Sequence, residues 1–268
     1  MQATSYIIPY RWSGDPDRRA NLDSVLNWLR LLNLLEVIVV EQDAAPTLGD
    51  LAPFPGLRVQ FIYNPGPFNK SWAMNVGARM SSGSILAFGD ADVLCRSLPK
   101  AVAGARAGVP AVRAFSAAID LDADDSALLR EDLSCMSDPS FASGGLDRRA
   151  KGETPPLSGG LVVFQRAVFT LVAGWDERFM GWGGEDDAMD IKIGRAGLRV
   201  GAVTDSPGFH LHHRRATPDP ANDLLYRNNL ALLQQLRAMP DEALRRMCEV
   251  TLQIMGNPDM HRPVEPLL

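Results

Sequence analysis

The chain of 268 residues is long enough for one large domain with a helical appendage, and its 46% hydrophobic and 22% charged side chains are an ordinary globular balance. Its formal net charge of −5, without a block of like charges, argues against a nucleic-acid-binding protein, which usually presents a basic face. Three cysteines without C-x-x-C spacing, no signal-peptide pattern and no apolar run of about 18 residues predict a cytoplasmic protein without disulfides, zinc knuckle or transmembrane segment.

The first half of the chain alternates between short apolar runs and amphipathic stretches. Strands are predicted at residues 6–8, 36–40, 58–63 and 84–88, and helices at 19–32 and 69–80. This alternation predicts an α/β fold with a mixed, mostly parallel central sheet flanked by helices. In such sheets the ligand site lies beyond the carboxyl ends of the strands. Unusual polar residues follow three predicted strands there: Arg11, then Glu41-Gln42-Asp43, then Asp90-Ala91-Asp92.

The pattern weakens between residues 117 and 156, and the Gly-, Ser- and Pro-rich stretch 140–156 predicts a loop. A second ordered block follows, with a strand at 160–164 and helices at 167–172 and 185–195. The tail from residue 221 is helical in pattern. We therefore predict a main domain over 1–220, with halves at 1–116 and 157–220, and a helical extension over 221–268.

Asp90-Ala91-Asp92 directly follows an apolar run, so two carboxylates stand one residue apart at a strand end. Oxygen ligands of this kind favour a hard divalent cation such as Mg²⁺ or Mn²⁺. The pattern also occurs in solvated turns and helix caps. Its place behind a buried strand favours the metal site.

Residues 210–213 read H-L-H-H and contain three of the four histidines of the chain. Two imidazoles at this spacing can bind one ion, and histidine ligands favour Mn²⁺ over Mg²⁺. A surface loop beside the basic Arg214 and Arg215 is the alternative.

Residues 181–187 read G-W-G-G-E-D-D. Glycines let the backbone approach a ligand closely, and an indole offers a flat apolar face to a sugar ring. The three acids open a helix, where the dipole and free amides stabilise a carboxylate. Helix capping alone accounts for one acid but not for three, so this run predicts a binding or catalytic site.

Arg11, Phe68, Asn69 and Lys70 are candidates for binding phosphate. The last three stand at a predicted helix start, where amides and a cation can hold an anion. A lysine at such a place is often only solvated.

With these motifs, the chain resembles glycosyltransferases of the GT-A fold, above all the β-1,4-galactosyltransferase-like branch and its bacterial relatives in glycosyltransferase family 2. The similar stretches keep the family order, and they lie at residues 7–11, 68–77, 88–92, 158–160, 174–177, 182–187 and 210–213. The W-G-G-E-D-D run is the specific one, whereas D-x-D is shared by many enzymes that use nucleotide-sugars.

The resemblance implies a role for each matching residue. Asp186 is the implied general base, and Asp92, His213 and His210 are the implied metal ligands, with His212 as the alternative if the register slips by one. The implied donor-binding residues are Pro9, Arg11, Gln42, Phe68, Lys70, Asp90 and Ala91. The implied acceptor- and sugar-binding residues are Leu157, Gly160, Trp182, Glu185 and Asp187.

The implied activity is metal-dependent, inverting transfer of galactose or an N-acetylhexosamine from a UDP-sugar to a hydroxyl of a glycan, a lipid-linked intermediate or a small molecule. Residues 1–116 would bind the donor and residues 157–220 the acceptor. Leu157 stands where the animal galactosyltransferases carry a Tyr that crowds the donor's 2-position, which suggests room for an N-acetyl group. A nucleotidyltransferase and a non-catalytic sugar- or nucleotide-binding module remain as alternatives, although the glycine-poor stretch 10–16 does not suit a nucleotidyltransferase phosphate loop.

Overall fold

A computed structural model describes residues 1–138, 140–141, 146–147, 157, 160–214 and 222–261. Its strands, in chain order, are β1 (Thr4–Tyr10), β2 (Glu36–Asp43), β3 (Leu57–Tyr63), β4 (Ile85–Gly89), β5 (Val93–Leu94), β6 (Ala111–Arg113), β7 (Ala118–Asp120), β8 (Leu146–Asp147), β9 (Leu161–Gln165), β10 (Val200–Ala202) and β11 (Gly208–His210). Its helices are α1 (Pro16–Arg30), α2 (Lys70–Met80), α3 (Leu98–Arg106), α4 (Ala123–Glu131), α5 (Arg166–Leu171), α6 (Glu185–Arg195), α7 (Leu224–Ala238) and α8 (Asp241–Ile254), with a 3₁₀ turn at Leu133–Ser137.

Seven strands form the central sheet, in the order β10-β6-β9-β4-β1-β2-β3. The pairs β1–β2, β1–β4, β2–β3 and β6–β10 are parallel, whereas β9 runs antiparallel to both β4 and β6. The predicted α/β fold with a mixed, mostly parallel sheet is therefore confirmed. Because β9 is inserted between β4 and β6, residue 160 at its start lies beside the end of β4.

A second sheet has the order β5-β11-β7-β8. Strand β11 pairs antiparallel with β5, with His210 opposite Val93, and parallel with β7, with His210 opposite Asp120. Both pairings centre on the histidine segment. The small sheet thus joins the chain just after Asp92 to residues near 210.

Every side chain of β1 is buried, because helices cover both faces of the central sheet at this strand. Tyr6 and Ile8 point into one apolar cluster, with α1 and α3, while Ile7 points into the other, with α2 and α5. A Cβ at Gly77 of α2 would lie 2.4 Å from Cγ2 of Ile7, so only glycine lets α2 approach the sheet this closely. This close packing fixes the position of α2 on the sheet, and with it the position of Lys70 in its first turn.

The C-terminal helices α7 and α8 pack against α6. A third apolar cluster consists of Phe179, Ala188, Leu233, Leu236 and Leu244. After α8 the chain contacts α2, where Nε1 of Trp72 donates to the carbonyl oxygen of Asn257 at 2.7 Å. The predicted boundary at residues 220–221 lies outside the described residues and stays a prediction.

The structure refines several predicted bounds. Glu41, Gln42 and Asp43 belong to β2 itself, because its pairing with β3 continues to Asp43 opposite Tyr63. Most of the predicted loop at 140–156 and the pair at 158–159 fall outside the described residues. In the part of the chain that is described, no helix is long and apolar enough to cross a membrane.

Candidate active site

The turn after β4 carries the two acids of the D-x-D pattern. The backbone NH of Asp90 donates to the carbonyl oxygen of Gly160 at 2.7 Å, which fixes the turn against the start of β9. Gly160 has φ +86°, and a Cβ there would lie 2.6 Å from Oδ2 of Asp90. Glycine at 160 is therefore required for the observed position of the Asp90 carboxylate. Ala91 is partly exposed between the two acids, and Asp92 is buried.

Asp92, His210 and His213 form a buried cluster whose ligand atoms all lie within 4.8 Å of one another. Nε2 of His213 is 3.1 Å from Oδ2 of Asp92, and Nε2 of His210 is 3.4 Å from Oδ1. The pairing of β11 with β5 produces this convergence. His212 is turned outward, with its side chain 46% exposed and Nδ1 3.8 Å from Asp17, so the cluster holds the two histidines of the predicted register.

The second nitrogen of each clustered imidazole faces an oxygen. Nδ1 of His213 lies 2.9 Å from the carbonyl oxygen of Arg214, which can only accept, so this nitrogen must carry the hydrogen. Nδ1 of His210 lies 3.5 Å from Oδ1 of Asp120. Both contacts leave Nε2 directed at Asp92 with a lone pair in the neutral imidazole, as a metal ligand requires.

The electrostatics of Asp92 also suit a cation. Burial opposes its charge, but the protonated forms of His210 and His213, together with Arg18, outweigh that effect and hold its pKa well below the usual range. A divalent ion bound between neutral imidazoles would supply positive charge at the same place. Among the described residues, its buried Oδ1 makes no hydrogen bond, and such an orphan acceptor has a cost unless a ligand satisfies it. One carboxylate and two imidazoles form a donor set that fits Mn²⁺.

The histidine segment is fastened along its backbone. The NH of Leu211 donates to the carbonyl oxygen of Asp92 at 2.8 Å, and the NH of His212 donates to Oγ of Ser126 at 2.7 Å. Nδ2 of the buried Asn21 donates to the carbonyl oxygen of His212 at 3.1 Å. These bonds to three different parts of the chain fix the backbone between the two imidazoles.

Lys70 connects the D-x-D turn with the acidic start of α6. Its Nζ lies 2.7 Å from Oδ1 of Asp90 and 3.8 Å from Oε1 of Glu185. Burial alone would lower the pKa of Lys70, but the charges of Asp90, Glu185 and Asp186 raise it well above the usual range. The ammonium is therefore a permanent positive charge between the two acidic groups.

Three other predicted donor residues contact or belong to the loop before α2. Arg11 donates through Nη1 to the carbonyl oxygen of Gly66 at 2.5 Å and lies 3.9 Å from Asp43. Gln42 is 0% exposed, and its Oε1 accepts from the NH of Asn69 at 2.6 Å and from Nδ2 of Asn64 at 2.7 Å. Gln42 thus stabilises this loop through hydrogen bonds at both of its ends. Phe68, on the same loop, is partly exposed.

Two further predicted residues lie in the interior. Pro9 is buried within β1, and Leu157 is 1% exposed in the apolar cluster of α2 and α5. The NH of Leu157 donates to Oδ2 of Asp190 at 3.4 Å. Burial raises the pKa of Asp190 to about 6, with a further increase from the charge of Asp187 and an opposing effect of the Leu157 hydrogen bond.

The loop at 181–184 presents Trp182 at the surface, 56% exposed. Gly183 and Gly184 have φ of +89° and +96°, which L side chains rarely adopt, so the chain turns sharply into α6. Glu185, Asp186 and Asp187 form the first turn of that helix, as predicted, and all three are partly buried. An exposed indole thus stands directly before three carboxylates.

The structure brings two sets of the predicted residues together, whereas Pro9 and Leu157 are buried in the interior. The buried metal-type cluster lies on one side of the D-x-D turn, and the start of α6 is joined to the other side through Lys70. Two residues at the cluster were not predicted: Nη2 of Arg18 lies 3.6 Å from Oδ2 of Asp92, and Asp120 contacts His210. Arg18 looks like any charged residue of an amphipathic helix, and Asp120 lies where the sequence pattern is weak, so neither carried a signal.

Comparison with known proteins adds two family matches. The family model described as "Glycosyl transferase family 2" matches residues 9–170, which is more than half of the chain. The model described as "N-terminal domain of galactosyltransferase" matches residues 146–214. No curated protein matches the chain significantly by sequence.

Solved structures share the fold at low identity. A structure of GalNAc-T7 with UDP, GalNAc and Mn²⁺ matches with TM-score 0.57 and 16% identity, over 99% of this chain and 59% of that chain. The catalytic domain of Drosophila β1,4-galactosyltransferase 7 with xylobiose matches with TM-score 0.51 and 16% identity, over 86% and 80%. Glucosyl-3-phosphoglycerate synthase from Mycobacterium tuberculosis, with Mn²⁺, UDP-glucose and phosphoglyceric acid, matches with TM-score 0.52 and 18% identity, over 89% and 81%.

Proposed function

Because the chain belongs to glycosyl transferase family 2 and is a glycosyltransferase of the GT-A fold, we propose that it transfers a sugar from a UDP-sugar to an acceptor hydroxyl with inversion, using Mn²⁺. The observation that carries this proposal is the buried cluster of Asp92, His210 and His213 beside the Asp90–Lys70–Glu185 chain of charges. Similar folds with Mn²⁺ and a uridine nucleotide support it.

Asp92, His210 and His213 would hold the ion, with Mg²⁺ as the alternative metal. When bound, the ion offsets the negative charge that gathers on a departing diphosphate. Lys70 adds a positive charge that the neighbouring acids keep protonated, and Arg11 adds a second. Pro9, Phe68, Asp90 and Ala91 complete the donor side, and Gln42 supports the loop that carries Phe68 and Lys70.

Asp186 is the proposed general base. It would take the proton from the acceptor hydroxyl while that oxygen attacks the anomeric carbon and UDP leaves from the opposite face. A helix start favours the ionised carboxylate, so the contribution of Asp186 depends on its position more than on its strength as a base.

Trp182, Glu185 and Asp187 would form the acceptor slot, with the exposed indole stacking on a sugar ring. The acceptor class is a glycan, a lipid-linked intermediate or a small molecule. Leu157 keeps its side chain in the apolar cluster, so it does not crowd a donor sugar at this position, and Gly160 supports Asp90. We expect UDP-N-acetylhexosamines to be accepted along with UDP-galactose; turnover with UDP-galactose but with neither UDP-N-acetylhexosamine would disprove this.

Incubation of the purified protein with Mn²⁺ and a panel of radiolabelled UDP-sugars tests the proposal. Sugar transfer to p-nitrophenyl glycosides, or slow donor hydrolysis, is the expected result, and Asp186→Asn is the matched inactive control. Release of pyrophosphate would instead indicate a nucleotidyltransferase, and UDP-sugar binding without turnover would indicate a binding module. Inversion is read from the anomeric configuration of the product by NMR.

A further inference from the structure

Helix α7 is tied to the loop that presents Trp182 through one buried side chain. Asn229 is 3% exposed, and the two hydrogens of its Nδ2 are shared among the carbonyl oxygens of Met180, Trp182 and Gly183, which lie 2.9, 3.1 and 2.9 Å from the nitrogen. Its Oδ1 accepts from the NH of Met180 at 3.2 Å. A single amide therefore satisfies backbone groups on both sides of the indole.

These bonds replace those that regular structure would supply. The loop lies between α5 and α6, and the carbonyl oxygens of Met180, Trp182 and Gly183 accept from Asn229, whereas that of Gly184 accepts from the NH of Ala188 in α6. The buried side-chain amide of Asn229 uses both its donor and its acceptor. A substitution that removes either one leaves buried backbone groups without a partner, which is costly. Asn229 thus contacts the backbone before, at and after Trp182.

Other contacts between α7 and the loop agree with this role. The rings of Tyr226 and Trp182 lie 5.3 Å apart between centroids, tilted by 56°, and Tyr226 stands one turn before Asn229. A Cβ at Gly181 would lie 3.4 Å from Leu225. Nη2 of Arg237, two turns later on α7, lies 3.6 Å from Asp187 in the first turn of α6. One face of α7 therefore follows the loop into the acidic turn.

The Trp182 side chain contributes little to the stability of the folded protein, because more than half of its surface stays in water. A large indole held outward by buried polar bonds is typical of a binding surface. We propose that Asn229 is a positioning residue, which holds Trp182 at the angle at which it receives the acceptor sugar. This inference rests on the proposed function of Trp182.

The test compares Asn229→Asp and Asn229→Ala with Asn228→Ala, an exposed neighbour on the same helix that serves as the matched control. Asn229→Asp keeps the shape and the acceptor for Met180 but turns a carboxylate toward three carbonyl oxygens. We expect the KM for the best p-nitrophenyl glycoside to rise about 10-fold or more, because small displacements of a platform are costly. Calorimetry with UDP and Mn²⁺ should give a Kd within about twofold of the wild type.

A double-mutant cycle and amide exchange separate positioning from general destabilisation. On a Trp182→Ala background, Asn229→Asp should change the KM by less than about twofold, because the group that it positions is gone. Exchange of the Met180 amide should accelerate in Asn229→Ala and stay unchanged in Asn228→Ala. An active wild type whose acceptor KM is unaltered by Asn229→Asp would overturn the positioning role. A wild type that transfers no sugar would overturn the proposed function, and the positioning role with it.

Discussion

Nε2 of His213 lies 3.1 Å from Oδ2 of Asp92, although the two residues belong to different halves of the chain. The carbonyl oxygen of Arg214 holds the hydrogen on Nδ1, so the nitrogen that faces Asp92 is the one that a metal needs. His210 repeats this arrangement with Asp120 behind it. The orientation of both imidazoles therefore suits the proposed metal ligands, and the metal proposal can be tested residue by residue.

Loss of a metal ligand should strongly weaken Mn²⁺-dependent UDP binding. We expect Asp92→Ala, His210→Ala and His213→Ala each to weaken it by about 100-fold or more, measured by calorimetry with and without Mn²⁺. His212→Ala is the control, because that imidazole is turned outward. Equal losses at 212 and 213 would contradict the ligand set.

Asp120 should act on the ion through His210. We expect Asp120→Asn to lower the affinity for Mn²⁺ by about 10-fold or more, since partners behind a ligand typically contribute on this scale. Electron paramagnetic resonance of free Mn²⁺ measures this directly. Asp124→Asn, an exposed acid on α4, should bind the ion as the wild type does.

Asp186→Asn should separate catalysis from binding. The variant keeps the size of the side chain but cannot accept the hydroxyl proton, so turnover should fall by about 100-fold or more. The Kd for UDP with Mn²⁺ should remain within about twofold of the wild type. Asp241→Asn, in the first turn of α8, is the control for removing an acid at a helix start. Full activity of Asp186→Asn would disprove the assignment of the base.

Gly160→Ala should damage donor binding beyond its effect on stability. The added Cβ would displace the Asp90 carboxylate and disturb its 2.7 Å contact with Lys70. Gly197→Ala is the matched control, because its φ is also left-handed at +73° but no atom lies within 4 Å of the added Cβ. Both variants should lose about 1–2 kcal/mol of stability in urea unfolding, whereas only Gly160→Ala should raise the Kd for UDP with Mn²⁺, by about 10-fold.

Asp190 should make stability depend on pH. Its folded-state pKa is raised to about 6, so between about pH 4 and pH 6 the folded protein binds more protons than the unfolded chain, and stability falls as the pH rises. Asp190→Asn removes this loss. The free energy of unfolding of Asp190→Asn relative to the wild type should rise by about 1 kcal/mol across that window and stay constant above pH 7. The expected size is reduced because Asp190 is partly exposed to solvent. Urea unfolding at pH 4.5, 6 and 7.5 tests this, and a constant difference would exclude the proposed titration.

The longer elements of the fold were predictable because their apolar residues repeat over many positions. Helix α6 begins and ends where predicted, at Glu185 and Arg195, and β1 to β4 were found within a few residues. Short strands such as β5 and β11 are only two or three residues long, and a run of that length has no measurable period. Their pairing depends on partners more than a hundred residues away, which local sequence does not contain.

The candidate site was predictable where residue type and spacing are unusual, as in the D-x-D turn, the Trp-Gly-Gly run and the histidines. Arg18, Asp120 and Asn229 were missed for a common reason. Each is an ordinary polar residue whose importance comes from what the fold places opposite it: Asp92, His210 and the Trp182 loop. The importance of such supporting residues depends on the three-dimensional structure.

The pairing of β5 with β11 also means that the cluster of Asp92, His210 and His213 can form only late in synthesis of the chain. Asp92 leaves the ribosome long before residues 210–213 do, and without them its carboxylate has neither imidazole beside it. A chain that ends before residue 210 therefore lacks two of the three proposed ligands of the divalent ion. The proposed activity therefore requires β11, and we expect a nascent chain that ends before residue 210 not to hydrolyse nucleotide-sugars.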